Sequence, residues 1–174
     1  HRPDAQAQQH AGRRQAEALE RMLYLVRDGN MGLGLLSGEV GCGKSMVLAA
    51  LRHCLRDRPL QVVALESAFG DFDETLREIL HLFAVGNARR LSARRNPFLG
   101  ESRYQMLRRF QDFMENRIIR LRRHLLIVLD EAQQLSEEGL NELKNLGNFG
   151  EADRNYLSII LAGQPELADK VRDL

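Results

Sequence analysis

Apolar residues are spaced along the chain in two alternating patterns, one typical of strands and one typical of helices. Four short runs are almost entirely apolar and predict buried strands, at residues 33–37, 60–65, 125–129 and 156–162. Between them, apolar residues recur every three or four positions, which predicts amphipathic helices. Strand and helix alternate throughout, so the predicted fold class is α/β, with a parallel sheet between two layers of helices.

The predicted helices begin and end at recognisable boundary residues. Asp71 has the spacing of a capping-box residue, and Ser136 is placed to cap a helix whose first turn holds two glutamates. Gly29 follows the first helix at a position that favours a left-handed residue. The helices expected from the pattern run from about Gln15 to Arg27, Met46 to Leu55, Asp71 to Phe83, Glu101 to Arg122, Ser136 to Leu146, and Pro165 to Leu174.

Two segments follow neither pattern. Residues 1–14 are polar and glutamine-rich, so they are predicted to be a flexible N-terminal segment ahead of one domain at 15–174. Residues 86–100 carry four arginines and a proline without apolar periodicity, which predicts a loop. A chain of 174 residues is long enough to bury a core without disulfides or metals.

Composition indicates the class of protein and its expected location in the cell. The chain is 44% hydrophobic and 28% charged, which is ordinary for a globular domain, and no apolar run approaches the ~18 residues of a membrane span. No secretory signal pattern is found. The two cysteines, Cys42 and Cys54, fit a reduced compartment. The expected location is therefore the cytoplasm, or the cytoplasmic face of an inner membrane in a longer protein.

Candidate chemistry begins directly after the first predicted strand. The run Gly38-Glu39-Val40-Gly41-Cys42-Gly43-Lys44-Ser45 fits the phosphate-loop pattern G-x-x-x-x-G-K-[ST], between a strand and a helix. Glycines let backbone N–H groups close around an anion, and the positive end of the next helix adds to the attraction. All eight residues are therefore candidates for nucleotide binding. Lys44 is predicted to reach the β- and γ-phosphates, and the Ser45 hydroxyl to ligate Mg²⁺.

A pair of carboxylates follows the third predicted strand. Asp130 and Glu131 come immediately after the apolar run 125–129, which is the Walker B arrangement of nucleotide hydrolases. Asp130 is predicted to hold Mg²⁺ directly or through water. Glu131 is predicted to orient and deprotonate the attacking water. The expected cofactors are ATP and Mg²⁺.

Two more polar residues, each after another predicted strand, are candidates for the same nucleotide site. Gln164 follows the fourth predicted strand, and it lies beside the phosphate loop if that strand neighbours the first. Its side chain would then reach the γ-phosphate or the attacking water, although Gln164 also suits a helix start before a proline. The predicted catalytic residues are Lys44, Glu131 and Gln164. Ser67, after the second strand, is a candidate for holding Glu131 in an unreactive position.

Charge is distributed unevenly along the chain. Residues 86–124 hold eleven arginines and three acidic residues, a net charge of +8, whereas residues 131–174 hold nine acidic and four basic residues, a net charge of −5. A solvated helix face accounts for such runs, and so do contacts between neighbouring subunits or a groove for double-stranded DNA. The pattern leaves the three interpretations open.

The motifs together resemble a known family. Residues 38–45, 126–133 (LIVLDEAQ) and 157–167 (LSIILAGQPEL) are similar to the AAA ATPases of the ExeA/GspA type, which serve the general secretion pathway and are related to transposition ATPases. The resemblance extends over essentially the whole chain. It implies an ASCE-type P-loop NTPase core with strand order 5-1-4-3-2 and a nucleotide bound at the edge shared by neighbouring subunits.

The resemblance also assigns roles to single positions. Lys44 and Ser45 match the family's Walker A pair, Asp130 and Glu131 its Walker B pair, and Gln164 its sensor position. The family's fifth strand, helical lid, arginine finger and second sensor are expected beyond residue 174, so the lid is not included in the predicted core. An arginine finger is worth about 10³–10⁵ in rate, so slow hydrolysis is expected without it.

The predicted function is an ATP-binding and ATP-hydrolysing AAA-type domain that forms a homo-oligomer in the ATP state. Its predicted role is to energise assembly of a secretion or pilus-type envelope apparatus, with a protein of that membrane apparatus as partner. The alternative is a DNA-binding ATPase that regulates transposition target selection with a transposition partner protein. A third class is a nucleotide-gated scaffold with little turnover.

Overall fold

Four parallel strands form the centre of the computed structural model, which describes residues 5–28, 32–68, 70–85, 96–148, 150–151 and 154–174. The strands of the chain are β1 (Leu33–Ser37), β2 (Leu60–Leu65), β3 (His124–Leu129), β4 (Gly150–Glu151), β5 (Arg154–Asn155) and β6 (Leu157–Gly163). The parallel sheet has the order β1-β6-β3-β2, and β4 and β5 form a separate antiparallel pair. The fourth parallel strand, β6, therefore lies between β1 and β3, as the implied order predicts. The implied fifth strand is not among the described residues.

Helices cover both faces of the sheet. They are α1 (Ala5–Asp28), α2 (Lys44–Leu55), α3 (Phe72–Val85), α4 (Arg103–Phe113), α5 (Glu137–Gly147) and α6 (Pro165–Arg172). Residues of α1 and α2 share a core with Leu126 and Ile160 on one face. Residues of the other four helices share a core with Ile127 and Ile159 on the opposite face. Because successive strand residues point to opposite faces, the central strands are apolar on both sides. The three-layer α/β architecture is confirmed.

The first helix is longer than the apolar spacing predicts. α1 begins at Ala5 rather than near Gln15, so the prediction of a flexible segment at residues 1–14 is wrong from Ala5 onward. The side chains of residues 9–14 are exposed, while alanine, glutamine and arginine have high helix propensity. A helical segment without a buried face has no apolar periodicity to detect. Residues 1–4 and the predicted helix end at Gly29 lie outside the described residues. No helix in the described ranges is both long and apolar enough to cross a membrane.

The long helix predicted from Glu101 to Arg122 changes its winding part-way. α4 ends at Phe113, and the chain continues as a π-helical turn, Met114–Ile119. A π-helical turn holds more residues than an α-helical turn. The side chains that follow it therefore point in other directions than a regular α-helix would give them. Of the predicted loop at 86–100, residues 86–95 lie outside the described residues, and residues 97–100 form a turn.

Side-chain caps start three of the helices. Asp71 Oδ1 accepts the backbone N–H three positions later at 2.7 Å, and Ser136 Oγ accepts the equivalent N–H at 3.0 Å. Both predicted caps are confirmed. Ser102 and Gln105 form a reciprocal capping box at the start of α4, which the sequence reading did not identify. These caps satisfy N–H groups that have no partner inside the helix.

A histidine at the start of β3 couples folding to pH. His124 Nε2 lies 2.8 Å from Ser158 Oγ on β6. Burial, and then the positive charge of Arg154, lower the pKa of His124 to about 4. The unfolded chain binds this proton with a pKa near 6.5. Between these two values the unfolded state holds more protons than the folded state, so stability is lost as pH falls through that window.

His124 should therefore lower the free energy of unfolding by about 2 kcal/mol between about pH 7.5 and about pH 5. Urea denaturation at the two pH values measures this difference. His124→Gln should lose most of this pH dependence, whereas His53→Gln, at an exposed position on α2, should retain it. The same pH dependence in wild type and both variants would contradict the assignment.

Candidate functional site

The carboxyl ends of three adjacent strands carry the predicted site residues. The loop 38–43 follows β1, Asp130 and Glu131 follow β3, and Gln164 follows β6. Since β6 pairs in parallel with both β1 and β3, the three strands end at the same edge of the sheet. Ligands of open α/β sheets bind at this edge. The structure therefore brings together the three segments that the sequence analysis assigned to one site.

A backbone hydrogen bond joins the start of the loop to the end of β6. The Gly38 N–H donates to the carbonyl of Gly163 at 3.1 Å. The register continues the β1–β6 pairing, in which Ser37 lies opposite Gly163. Gln164, the next residue, therefore sits beside the loop. The condition set for its predicted role, that the fourth parallel strand neighbours the first, is met.

Three glycines allow the loop to fold tightly. Gly41 and Gly43 have φ angles of 81° and 94°, a left-handed conformation that strains residues with a Cβ. A Cβ at Gly38 would lie 2.5 Å from the Sγ of Cys42. The backbone conformation therefore accounts for Gly41 and Gly43, and the close approach of the Cys42 side chain accounts for Gly38.

Lys44 holds the loop together from the first position of α2. Its Nζ donates to the carbonyl oxygens of Gly38 at 2.5 Å and Glu39 at 3.0 Å. The ammonium group is therefore held against the loop backbone, at the end of the helix whose dipole is positive. The N-cap of α2, Gly43, makes no side-chain cap. The first N–H groups of α2 are consequently available to an anion.

A residue of α1 packs against the loop, and the sequence analysis missed it. Gln15 Nε2 donates to the carbonyl of Cys42 at 3.2 Å. A Cβ at Gly43 would overlap the same amide group. Gln15 and Cys42 are 27 residues apart, and no local pattern marks the contact. The first helix therefore contributes to the shape of the site.

The two carboxylates after β3 are placed differently. Asp130 continues the sheet, because its N–H donates to the carbonyl of Leu65 at 2.9 Å and its carbonyl accepts from Ala68. Its Oδ1 accepts the N–H of Glu131 at 2.9 Å. Glu131 has φ 51° and turns the chain away from the strand. Both side chains are half-buried.

The carboxylate of Glu131 is bound by a neighbour on the following 3₁₀ turn (Ala132–Gln134). Gln133 Nε2 donates to Glu131 Oε2 at 2.5 Å. The contact predicted between Ser67 and Glu131 is wrong in its partner, because Ser67 Oγ donates to Gln134 Oε1 at 3.1 Å. The 3₁₀ turn brings Gln133 close to Glu131 and Gln134 close to Ser67. The apolar spacing did not predict this turn.

Gln164 is the N-cap residue of α6, which has Pro165 at its first position. Its side chain makes no cap hydrogen bond, and its N–H donates to Gln133 Oε1 at 3.2 Å. The helix-start interpretation of Gln164 is thus correct for its backbone. Its half-buried side chain is left for the predicted contact with phosphate or water.

The residues present fit a nucleotide with Mg²⁺. Uncapped N–H groups at a helix start and a lysine ammonium suit phosphate oxygens. Ser45 and Asp130 offer a hydroxyl and a carboxylate, the oxygen ligands that Mg²⁺ prefers, with phosphate oxygens and water completing its shell. Across the described ranges, no group of three or more His, Cys, Asp or Glu side chains is arranged to hold a metal by itself.

Comparison with known proteins gives the family of the chain. The profile of the AAA domain family matches residues 27–171. General secretion pathway protein A of Aeromonas hydrophila is 30% identical over 162 residues, which are 91% of this chain and 27% of that protein. The chain thus spans about a quarter of the length of this relative.

Solved structures agree on the fold. Cdc6p from Pyrobaculum aerophilum superposes with a TM-score of 0.66 and 20% identity, over 100% of this chain and 42% of that chain. The Aeropyrum pernix Orc1 protein, solved in complex with DNA, gives a TM-score of 0.58 and 16% identity over 90% of this chain and 40% of that chain. At these identities the likeness concerns the fold alone. With the matched profile and the site at the sheet edge, it follows that the chain belongs to the AAA domain family and is a P-loop ATPase domain.

Proposed function

We propose that the chain binds Mg²⁺-ATP through residues 38–45 and hydrolyses it with Glu131 as the general base. The convergence of the loop, Asp130-Glu131 and Gln164 at one edge of the sheet carries this proposal. The loop supplies the N–H groups for the phosphates, and Lys44 supplies the positive charge. Each group lies on an element whose position is set by β1, β6 or β3.

The residues of the chain divide the work of hydrolysis as follows. Ser45 and Asp130 would hold Mg²⁺, which would supply positive charge beside the phosphates. Glu131 accepts a proton from the attacking water, while Gln164 orients that water or the γ-phosphate. The water oxygen then bonds to the γ-phosphorus as the bond to the bridging oxygen breaks, which yields ADP and phosphate.

The proposed cellular role is assembly of a secretion or pilus-type envelope apparatus from the cytoplasmic side. The support is the 30% identity to general secretion pathway protein A, which extends over 91% of this chain. The chain would act as a homo-oligomer in the ATP state, with a protein of the membrane apparatus as partner. The acidic segment 131–174 of one subunit would then face the basic segment 86–124 of its neighbour.

A DNA-binding role is the second candidate, and exposed arginines favour it. In the described part of the basic segment, three arginines contact their own chain: Arg103 pairs with Asp73, Arg109 with Glu101, and Arg117 binds the Phe83 carbonyl. Arg108, Arg120, Arg122 and Arg123 are exposed. Exposed arginines suit phosphate backbones, and such binding weakens steeply with salt.

Mass measurement in solution distinguishes the two roles. We expect ATP with Mg²⁺ to shift the protein from a small species to a larger assembly by size-exclusion chromatography with light scattering. In the secretion role, duplex DNA adds no mass at low salt. A salt-sensitive complex with duplex, weakened by joint Arg122→Ala and Arg123→Ala substitution, supports the DNA-binding role instead. An unchanged mass at saturating ATP contradicts the proposed oligomer.

A further inference from the structure

Three hydrogen bonds connect the phosphate loop to the carboxylate of Glu131. The Gly38 N–H donates to the carbonyl of Gly163 at 3.1 Å. The next residue, Gln164, donates its N–H to Gln133 Oε1 at 3.2 Å. The same amide group donates through Nε2 to Glu131 Oε2. One side chain, that of Gln133, thus joins the end of β6 to the carboxylate that follows β3.

The position of Gln133 is determined from several sides. Lys170 Nζ on α6 donates to the carbonyl of Gln133 at 2.6 Å and to that of Leu135 at 3.0 Å. Gly163 leaves room for the amide, because a Cβ there would overlap Gln133 Oε1 and lie 2.9 Å from Leu167. Both the backbone and the side chain of Gln133 are therefore fixed against β6 and α6.

Glu131 has few other restraints on its side chain. Its backbone has φ 51°, and its N–H is bound by the preceding Asp130. Within the described residues, its carboxylate accepts one side-chain hydrogen bond, from Gln133. A bond to Oε2 leaves Oε1 to accept a proton. A general base must be held within about 0.5 Å of its working position, so the orientation of this carboxylate depends on the Gln133 amide.

We propose that Gln133 is a positioning residue that ties the Glu131 carboxylate to the end of β6. This inference rests on the proposed function, in which Glu131 is the base. Because Gln133 accepts from the Gln164 backbone, a displacement of the β6 end by ligand beside Gln164 moves Glu131 as well. The amide must act at both ends: Oε1 anchors it, and Nε2 orients the carboxylate.

Two substitutions test the amide of Gln133: one removes both of its hydrogen bonds, and the other removes only the one donated to Glu131. Gln133→Met keeps the length of the side chain and removes both hydrogen bonds. Gln133→Glu keeps an acceptor for the Gln164 N–H but places a second carboxylate beside Glu131, which repels it. Each is expected to lower the single-turnover rate of ATP hydrolysis about 10- to 100-fold, the usual effect of removing a supporting hydrogen bond. The Kd for ATP should stay near the wild-type value.

A transition-state analogue separates positioning from loss of structure. ADP with aluminium fluoride requires a correctly placed water, so Gln133→Met should bind it about 10- to 100-fold more weakly while binding ADP as the wild type does. Gln134→Met is the matched control, since Gln134 lies on the same turn and accepts from Ser67 instead. The control should keep the wild-type rate and the wild-type affinity for the analogue.

The outcomes distinguish this inference from the proposed function. If Glu131→Gln abolishes turnover and Gln133→Met turns over like the wild type, the positioning role is wrong and the proposed base stands. A fall in rate that is equal in Gln133→Met and Gln134→Met also overturns it, because the effect is then not specific to the carboxylate contact. If Glu131→Gln hydrolyses ATP normally, the proposed function fails and the positioning role fails with it.

Discussion

Replacing Lys44 by alanine is expected to weaken ATP binding by roughly two to three orders of magnitude. The ammonium group donates to the carbonyl oxygens of Gly38 and Glu39 and lies at the start of α2, where the phosphates are expected. Truncating one partner of a desolvated charge pair costs about 2–5 kcal/mol. The substitution also removes the side chain that joins the two ends of the loop. Fluorescence titration with a labelled ATP analogue measures the Kd.

Two further lysine variants make this result specific. Lys144→Ala removes an exposed ammonium on α5, whose Nζ donates to the carbonyl of Leu174 at 3.4 Å, and it should bind ATP normally. Lys44→Arg keeps the charge but not the compact ammonium, so an intermediate Kd is expected. Wild-type affinity in Lys44→Ala, in a protein that unfolds at the usual urea concentration, would rule out the assigned role.

Glu131→Gln should bind ATP and fail to hydrolyse it. Glutamine has the size of glutamate and can still accept the hydrogen bond from Gln133 through its carbonyl oxygen. It cannot take a proton from water, and a positioned general base is worth about 10²–10⁴ in rate. The single-turnover rate with radiolabelled ATP should fall by about that factor, while the Kd from the same titrations is unchanged.

The control for this variant is Glu137, a glutamate that lies close to Glu131 in the sequence but outside the site. Glu137 is exposed in the first turn of α5, and Glu137→Gln should hydrolyse ATP at the wild-type rate. Loss of turnover in both variants would point to a general effect of charge. Turnover retained by Glu131→Gln would remove this residue as the base and leave Asp130 or bound water to account for hydrolysis.

The sequence predicts structure best where the groups that interact lie within a few residues of each other. The caps at Asp71 and Ser136 are contacts to N–H groups three positions away, and both are confirmed. The strands were predicted because burial on both faces requires an unbroken apolar run. The loop 38–45 is recognisable because its glycines, lysine and serine act on one ligand from adjacent positions in the sequence.

Contacts between distant segments carried no local signal. Gln15 reaches Cys42 from a helix that begins at Ala5, well before the start near Gln15 that the apolar spacing predicts. The π-helical turn at Met114–Ile119 interrupts a pattern that reads as one regular helix. Each depends on what packs against the segment rather than on the segment itself, so spacing could not predict it.

The sequence by itself determined the fold class and the chemistry of the site: which residues can bind phosphate, hold a divalent cation and accept a proton. Tertiary structure decided which of them meet. Placing β6 between β1 and β3 puts Gln164 beside the loop, and the 3₁₀ turn gives Glu131 the partner Gln133 in place of Ser67. Side-chain chemistry is a property of each residue, whereas a hydrogen bond across 31 positions, such as that from Gln164 to Gln133, exists only when the sheet sets the distance.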